Sequence, residues 1–408
     1  MTPPVDPKLR AQWDLMHELR DSPKLLQEVA GARGSELALQ KQLRRRYSDR
    51  LVSAAFSLCE LRRLGAAKFT RASEMWFDRQ GFEQATSEAV AGHKAKRFQG
   101  SVLDLCCGIG ADSLALAQHS IVTAVDSNPI ACLRTIWNAE VYSVASRIET
   151  RTGDANEAKL SDSLVHIDPD RRSRSAARSI RVEDYEPGLD FLRRLCRTAR
   201  GGAIKLSPAA NFGGKFRDVE IELVSLAGEC KEATVWFGEL RGEESWRATV
   251  LPSVETLAGE PLDESTDLSR PLRYVFDPDP AVVRAGLVDL LAARFGLFRL
   301  DAAEEYLTGD EPASTGFLHA FEIVAELPNS VAEIRRYFRG ADFGQVEIKC
   351  RHIPVDATAV RRKLELSGSQ PAVLIFARIS GKARVLVCRR VEKKTRRQGE
   401  RETRSTGY

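Results

Sequence analysis

The chain has 408 residues, with 61 Lys and Arg against 57 Asp and Glu for a formal charge of +4, and is 43% hydrophobic and 29% charged. That composition excludes a fibrous or wholly disordered protein, and the length predicts two or three domains rather than one small core. No apolar run approaches the ~18 residues of a membrane helix, and the start MTPPVDPKLRAQWDL lacks an apolar signal core, so no membrane role and a cytoplasmic location are expected. The eight cysteines form no C-x-x-C pair and the six histidines are scattered, which predicts neither a disulfide framework nor a metal site.

Residues 1–99 read as a helical domain. Apolar residues recur at three- and four-residue spacing over 9–30 and 35–66, broken at the Gly31 to Gly34 turn. Arg44, Arg45 and Arg46 begin the long second helix; such a run is either a solvated face or a nucleic-acid contact. In GFEQATSEAVAGHKAKRF, Thr86 or Ser87 is placed to cap a helix leading into the first strand. Gln84 and Thr86 lie just ahead of the next domain, where the segment either only caps that helix or lids a site.

Residues 100–252 alternate strand and helix. The stretch VLDLCCGIGADS (102–113) is an apolar run, a Gly-spaced loop and a helix start, a layout that brings backbone N–H groups against a bound nucleotide. Asp126 ends the apolar run IVTAVD, from which an acid grips a ribose hydroxyl pair. A dinucleotide fingerprint wants a third glycine where Ser113 stands, and Asp104 would repel a pyrophosphate but suit a cation. S-adenosyl-L-methionine is such a ligand, so the fold is expected to be α/β, with a Rossmann-like class I methyltransferase domain. Pro129 opens the next helix. IETRTGD ends in Asp154, which can accept from an adenine amino group while Ala155 offers a backbone N–H. SLVHIDPDRR is the fourth strand with Asp168 at its end, DYEPGLDFLRRLCRTA its helix, and GGAIKLSP the fifth strand, ending at Lys205 and Ser207. VEIELVSL and KEATVWFGEL complete a mixed seven-stranded sheet, and SWRATVLP alternates with them as part of a closing antiparallel set. Asp104, Asp126, Asp154 and Asp168 thus all sit at the carboxyl ends of strands, where open α/β sheets bind ligands.

The polar stretch 253–270 reads as a linker. Residues 271–391 read as an α+β domain, with helices over PAVVRAGLVDLLAARF, SVAEIRRYFRG and from Asp356 through RRKLEL, a strand VEIKCRHI, and a terminal hairpin turning at Ser380-Gly381. The tail 392–408 is basic, without apolar periodicity, and is expected to be a disordered arm.

Two resemblances follow from these residues. DLCCGIGADSLALA, AVDSNP, NAEVYSVASRIE and GDAN, between Leu103 and Asn156, resemble the core of trimethylguanosine synthase and its relatives. With the GFEQATSEAVAGHKAKRF segment, IDPDRR, KLSP and YVFDPDPAVVRAGL, the chain is similar over 75–391 to bacterial class I methyltransferases carrying a C-terminal THUMP-like domain. The resemblance implies that Asp104, Cys106, Gly108 and Gly110 hold the methionine part of the cofactor, Asp126 the ribose, and Asp154 with Ala155 the adenine; Ser127 and Asp168 join the cofactor set. Asp168, Pro169, Asp170 and Arg171 are then the catalytic motif, with Gln84, Thr86 and Arg172 as candidates on the substrate side; Lys205 and Ser207, bordering the same crevice, are either substrate contacts or strand-end packing. Relatives that methylate exocyclic amines carry two prolines and an aromatic at this motif; here neither the second proline nor the aromatic is present, and the cap-binding Trp of trimethylguanosine synthase has no counterpart. Arg171 and Arg172 either stack on a base or clamp a phosphate, or they pair with Glu183, Asp184 or Glu186.

The expected activity is methyl transfer to a base nitrogen, guanine by resemblance, in structured RNA, with Asp168 accepting a hydrogen bond from the acceptor N–H. Two alternatives stay open: a protein or small-molecule acceptor, and a non-catalytic, cofactor-binding RNA scaffold.

Overall fold

The computed structural model describes residues 2–171, 181–261 and 263–391, with Arg171 described through its backbone. The chain divides into two compact units, Met1–Glu260 and Pro261–Tyr408.

The first unit opens with helices α1 (Pro7–Arg20), α2 (Pro23–Ala30), α3 (Glu36–Leu43), α4 (Asp49–Gly65), α5 (Arg79–Gln84) and α6 (Glu88–Ala95). Each of the two long helices expected from periodicity is therefore a pair. The Asp21-Ser22-Pro23 corner ends the first, because proline cannot continue a helix, and Ser48 caps a fresh start by accepting from Leu51 N. Arg44 to Arg46 lie in the turn between α3 and α4, not on the long helix. Arg46 pairs with Glu28 and Arg44 with Asp49, so the basic run holds a corner. These helices share one continuous core with the sheet domain. Trp76 packs on Trp137 with ring centroids 4.8 Å apart, and Asn138 Oδ1 accepts from Trp76 N at 2.7 Å. Residues 1–99 thus have no core of their own.

The sheet comprises β1 (Gly100–Leu105), β2 (Ser120–Asp126), β3 (Ile148–Thr152), β4 (Leu164–Ile167), β7 (Gly201–Leu206), β8 (Val219–Leu226), β9 (Glu229–Gly238), β10 (Trp246–Leu251) and β11 (Glu255–Gly259), while β5 (Asp170–Arg171) and β6 (Tyr185–Glu186) form a separate two-stranded ribbon. Helices α7 (Ala111–Leu116), α8 (Pro129–Val141) and α9 (Leu189–Thr198) are the crossovers. The order β3-β2-β1-β4-β7-β9-β8 is parallel from β3 to β7, with β9 antiparallel to both neighbours. That is the expected seven-stranded arrangement, flanked by β10, a strand the sequence also marked, and by β11, which it did not. β10 runs parallel to β8, contrary to the expected antiparallel set, and β11 pairs antiparallel with β10. The stretch 253–270, expected as linker, therefore begins inside the sheet: a polar strand is tolerated at an edge, where one flank meets water.

Strand β8 carries a second correction to simple pattern reading. VEIELVSL alternates like a strand with one wet face, yet Glu220 and Glu222 are fully buried. Helix α6 and its C-terminal turn cover that face: His93 Nε2 lies 2.8 Å from Glu222, and Arg97 grips Glu220 at 2.6 and 3.0 Å. Trp236 Nε1 and Thr249 Oγ1 also donate to Glu222, at 2.8 and 2.6 Å. Burial alone would raise this carboxyl, but those donors and the His93 and Arg97 charges outweigh it and hold Glu222 down at about 2. A group lowered from 4.5 to about 2 contributes stability that is complete above pH 4.5 and lost as the pH falls toward 2. Glu222→Gln is expected to lower stability by about 3 kcal/mol at neutral pH, and by much less at pH ~3, in urea titrations at both.

The second unit holds β12 (Tyr274–Pro278), α10 (Pro280–Ala285), α11 (Val288–Phe295), β13 (Phe298–Arg299), β14 (Leu307–Gly309), β15 (Leu318–Pro328), α12 (Val331–Arg339), β16 (Phe343–Cys350), α13 (Ala357–Lys363), β17 (Gln370–Ile379) and β18 (Lys382–Arg390). They form a seven-stranded sheet in the order β13-β14-β12-β15-β18-β17-β16. The helix expected over 280–295 breaks into α10 and α11 at Gly286, whose φ of +73° closes the first. The Ser380-Gly381 hairpin forms as expected, both residues left-handed at φ +48° and +79°. Among the described residues no helix is long and apolar enough to cross a membrane, and one metal-competent trio exists, Glu304, Glu305 and His352 in this unit, where His352 Nε2 lies 2.6 Å from Glu305.

Candidate active site

The carboxyl ends of β1 to β4 and β7 open into a cleft of about 1260 Å³. The loop after β1 turns sharply because three residues take left-handed backbone: Cys106 (φ +58°), Gly108 (+57°) and Gly110 (+86°). Gly108 N donates to Asp126 Oδ2 at 2.9 Å and Asn128 N to Asp126 Oδ1 at 2.8 Å, so the acid at the end of β2 is tied to the loop. An added Cβ at Gly108 would meet nothing within 4 Å, leaving bare backbone facing open space. That cradle, with Asp126 and Asp154 at adjacent strand ends, fits an adenosine-bearing cofactor. Asp154 Oδ1 accepts from Asn156 N at 2.8 Å and shapes the turn that holds the buried Ala155.

Gly110 does not line the cleft. It heads α7, and a Cβ there would sit 2.8 Å from Thr135 Cγ2 on α8. Gly110→Ala is expected to cost at least ~2 kcal/mol, left-handed strain plus the clash, and to weaken cofactor binding. Thermal melting and calorimetric titration of the variant check both.

The other end of the cleft is built from charge. Asp168 follows β4, and its Oδ2 lies 2.5 Å from Lys205 Nζ on β7. Burial pushes the Asp168 carboxyl above the ordinary carboxylate range, more than Lys205 lowers it. Behind them Lys94, 3% exposed on α6, bridges Asp112 at 3.0 Å and Glu232 at 2.7 Å. Thr86 Oγ1 donates to Asp112 Oδ2 at 2.7 Å. Thr86 therefore faces the site's wall and not the helix it precedes; Ser87 holds the N-cap position, without a side-chain cap bond. Asp104, 1% exposed, accepts from Ser113 Oγ and lies 2.7 Å from His166 Nδ1. Gln84 Nε2 donates to Asp170 Oδ1 at 2.9 Å across the mouth.

Of the residues expected in the site, Gln84, Thr86, Asp104, Cys106, Gly108, Asp126, Ser127, Asp154, Ala155, Asp168, Pro169, Asp170, Lys205 and Ser207 all line this cleft. Ser207 N donates to the Tyr185 hydroxyl at 3.1 Å, and its Oγ accepts from Ala209 N, so this side chain shapes the turn after β7. Arg171 pairs with Tyr185 in the β5–β6 ribbon through its backbone, and Arg172 lies outside the described residues. Glu183, a candidate partner for these arginines, pairs with Lys215. Sequence reasoning missed Lys94, Asp112, His166, Glu232 and Tyr185. Asp112 and His166 stand within the GADS and HIDPD motifs and were within reach; Lys94 and Glu232 carry no local signal and meet only when α6 lies on β9.

Residues 99–192 match the model of a family described as RNA cap guanine-N2 methyltransferase, and residues 318–390 match a THUMP domain-like model. An uncharacterized S-adenosylmethionine-dependent methyltransferase of Mycobacterium tuberculosis, known from two strains, is 34% identical over 317 residues, 75% of this chain and 86% of its own length. A solved structure of a methyltransferase candidate from Porphyromonas gingivalis W83 shares the fold with a TM-score of 0.70 at 18% identity, over 96% of this chain and 100% of that one. With the cleft, the strand-end acids and a relative of that identity and coverage, the chain belongs to the S-adenosylmethionine-dependent methyltransferases, enzymes whose cofactor is S-adenosyl-L-methionine.

Proposed function

We propose that this enzyme methylates a base nitrogen, guanine favoured, in structured cytoplasmic RNA, with the cofactor held by Asp104, Cys106, Gly108, Asp126, Ser127, Asp154 and Ala155. The observation that carries the reading is one of overlap. The residues similar to the RNA cap guanine-N2 methyltransferase family, 99–192, supply β1 to β4 and Asp168 itself, at a cleft facing solvent. The THUMP domain-like segment adds a second module of a kind suited to an RNA partner.

When bound, the cofactor supplies an electrophilic methyl on a sulfonium, which needs alignment more than activation. Asp168 accepts a hydrogen bond from the acceptor N–H, orients the nitrogen lone pair and takes the proton as transfer completes. Pro169 is buried and lacks an N–H, which stiffens the turn after β4 and leaves its carbonyl to orient an amine. Asp170, held by Gln84, closes the outer wall. The aromatic absent from the motif has a neighbour in space: Tyr185, which β6 brings against Arg171 at the cleft.

The test is transfer of labelled methyl from S-adenosyl-L-methionine to total RNA, protein extract and small metabolites in parallel. RNase-sensitive label, resolved by nucleoside analysis to a methylated base, is the expected result. Label confined to protein or metabolites overturns the RNA reading and keeps the enzyme.

A further inference from the structure

Lys205 has two partners inside the chain. Its ammonium lies 2.5 Å from Asp168 Oδ2 and 3.2 Å from the carbonyl oxygen of Gln84. The Gln84 side chain donates back to Asp170, two residues beyond Asp168. One lysine thus joins the carboxylate after β4 to the last residue of α5, Gln84, whose own side chain joins the same motif. Lys68 grips the same segment, donating to the carbonyls of Phe82 at 2.8 Å, Ala85 at 3.3 Å and Glu83 at 3.4 Å. Two lysines therefore clamp the carbonyls of 82–85 at the cleft.

The charge around Lys205 argues against a direct role in binding phosphate. Its surroundings hold the carboxylates of Asp168, Asp112 and Glu232, against the ammoniums of Lys94 and Lys68. An ammonium that turned toward a substrate phosphate would give up its ion pair with Asp168 and leave that carboxylate facing Asp112 without its nearest cation. Its strongest electrostatic partner is already within the chain.

Resting on the reading of Asp168 as the residue that meets the acceptor, we propose that Lys205 is a positioning residue: it holds the Asp168 carboxylate in place and fastens segment 82–85 over the cleft, and does not itself bind substrate. The groups that face Asp168 are Lys205 from β7, Asp112 from α7, Lys94 from α6 and the Cys106 thiol of the loop after β1. Burial and Asp112 raise the Asp168 carboxyl; Lys205 is the largest influence that lowers it. Removing the ammonium therefore moves Asp168 further upward.

The experiment uses the full chain in two arms. In the first, which needs no substrate, protein carrying carboxyl-¹³C aspartate is titrated by NMR, with the Asp168 signal assigned by its loss in Asp168→Asn. In Lys205→Met the Asp168 midpoint is expected to rise by about one pH unit or more, and Lys205→Arg to restore it. In the second arm, methyl transfer to the RNA pool is measured against pH. Lys205→Met is expected to lower kcat about tenfold to a hundredfold at neutral pH, shift the acid limb upward and leave the KM for RNA near its wild-type value. Lys205→Arg is expected to recover most of the loss. Lys205→Gln gives the same comparison if the Met variant does not fold. An unshifted Asp168 titration overturns the proposal, as does a raised KM with kcat and acid limb unchanged, which would make Lys205 a substrate ligand. If Asp168→Asn still transfers methyl, the reading of Asp168 falls by itself, and the titration still decides whether Lys205 holds that carboxylate.

Discussion

Replacing Asp168 by alanine is expected to lower methyl transfer about a thousandfold while S-adenosyl-L-methionine still binds, because a positioned proton acceptor contributes about 10²–10⁴-fold. The geometry behind this is specific. Asp168 stands at the end of β4, beside β1 and β7, with Lys205 on one oxygen and the open cleft before it. Asp168→Asn separates two roles: the amide oxygen still accepts a hydrogen bond but cannot take the proton at neutral pH. The pH profile supplies the second check. Burial raises this carboxyl above the ordinary range, and the working form is the carboxylate. Activity is therefore complete above the raised midpoint and is lost as the pH falls through it, a limb placed above the ordinary aspartate range that the Asn variant lacks. Full activity in Asp168→Ala would remove it from the mechanism.

The second large effect is expected at Lys94. Its ammonium is 3% exposed and sits between Asp112 and Glu232, which raise its affinity for a proton although burial acts against the charge. Lys94→Met keeps the stem but strands two buried carboxylates, and removing one partner of a buried ion pair costs about 3–5 kcal/mol. Equilibrium unfolding in urea is the measurement. Adding Asp112→Asn and Glu232→Gln to Lys94→Met is expected to recover much of the loss, since the stranded charge is what destabilises. A single variant as stable as the wild type would show that the two carboxylates find other protons or solvent. Because Asp112 lines the cleft and accepts from Thr86, the same substitution is expected to loosen segment 82–86.

Much of this site is readable from the primary sequence. The four acids Asp104, Asp126, Asp154 and Asp168 are separated by strand–helix repeats, and parallel βαβ units force their strand ends to one side. Any fold of that pattern brings them to a single cleft. The hairpin at Ser380-Gly381 and the cap at Asn128-Pro129 are equally local, set by which residues tolerate left-handed backbone or begin a helix.

Other features depend on contacts distant in the chain. Arg44 to Arg46 look like a binding face until Glu28 and Asp49 are seen across the corner from them. Glu220 and Glu222 look solvated until α6 covers β8. Lys205 looks like strand-end packing until Asp168, 37 residues earlier, is placed beside it. The sequence by itself determined the α/β core, the cofactor and the ring of strand-end acids, because these rest on short spacings and repeat order. Only the tertiary structure decided which charges are buried and paired. Burial is a property of what covers a residue, and the residues that cover it lie tens to more than a hundred positions away in the chain.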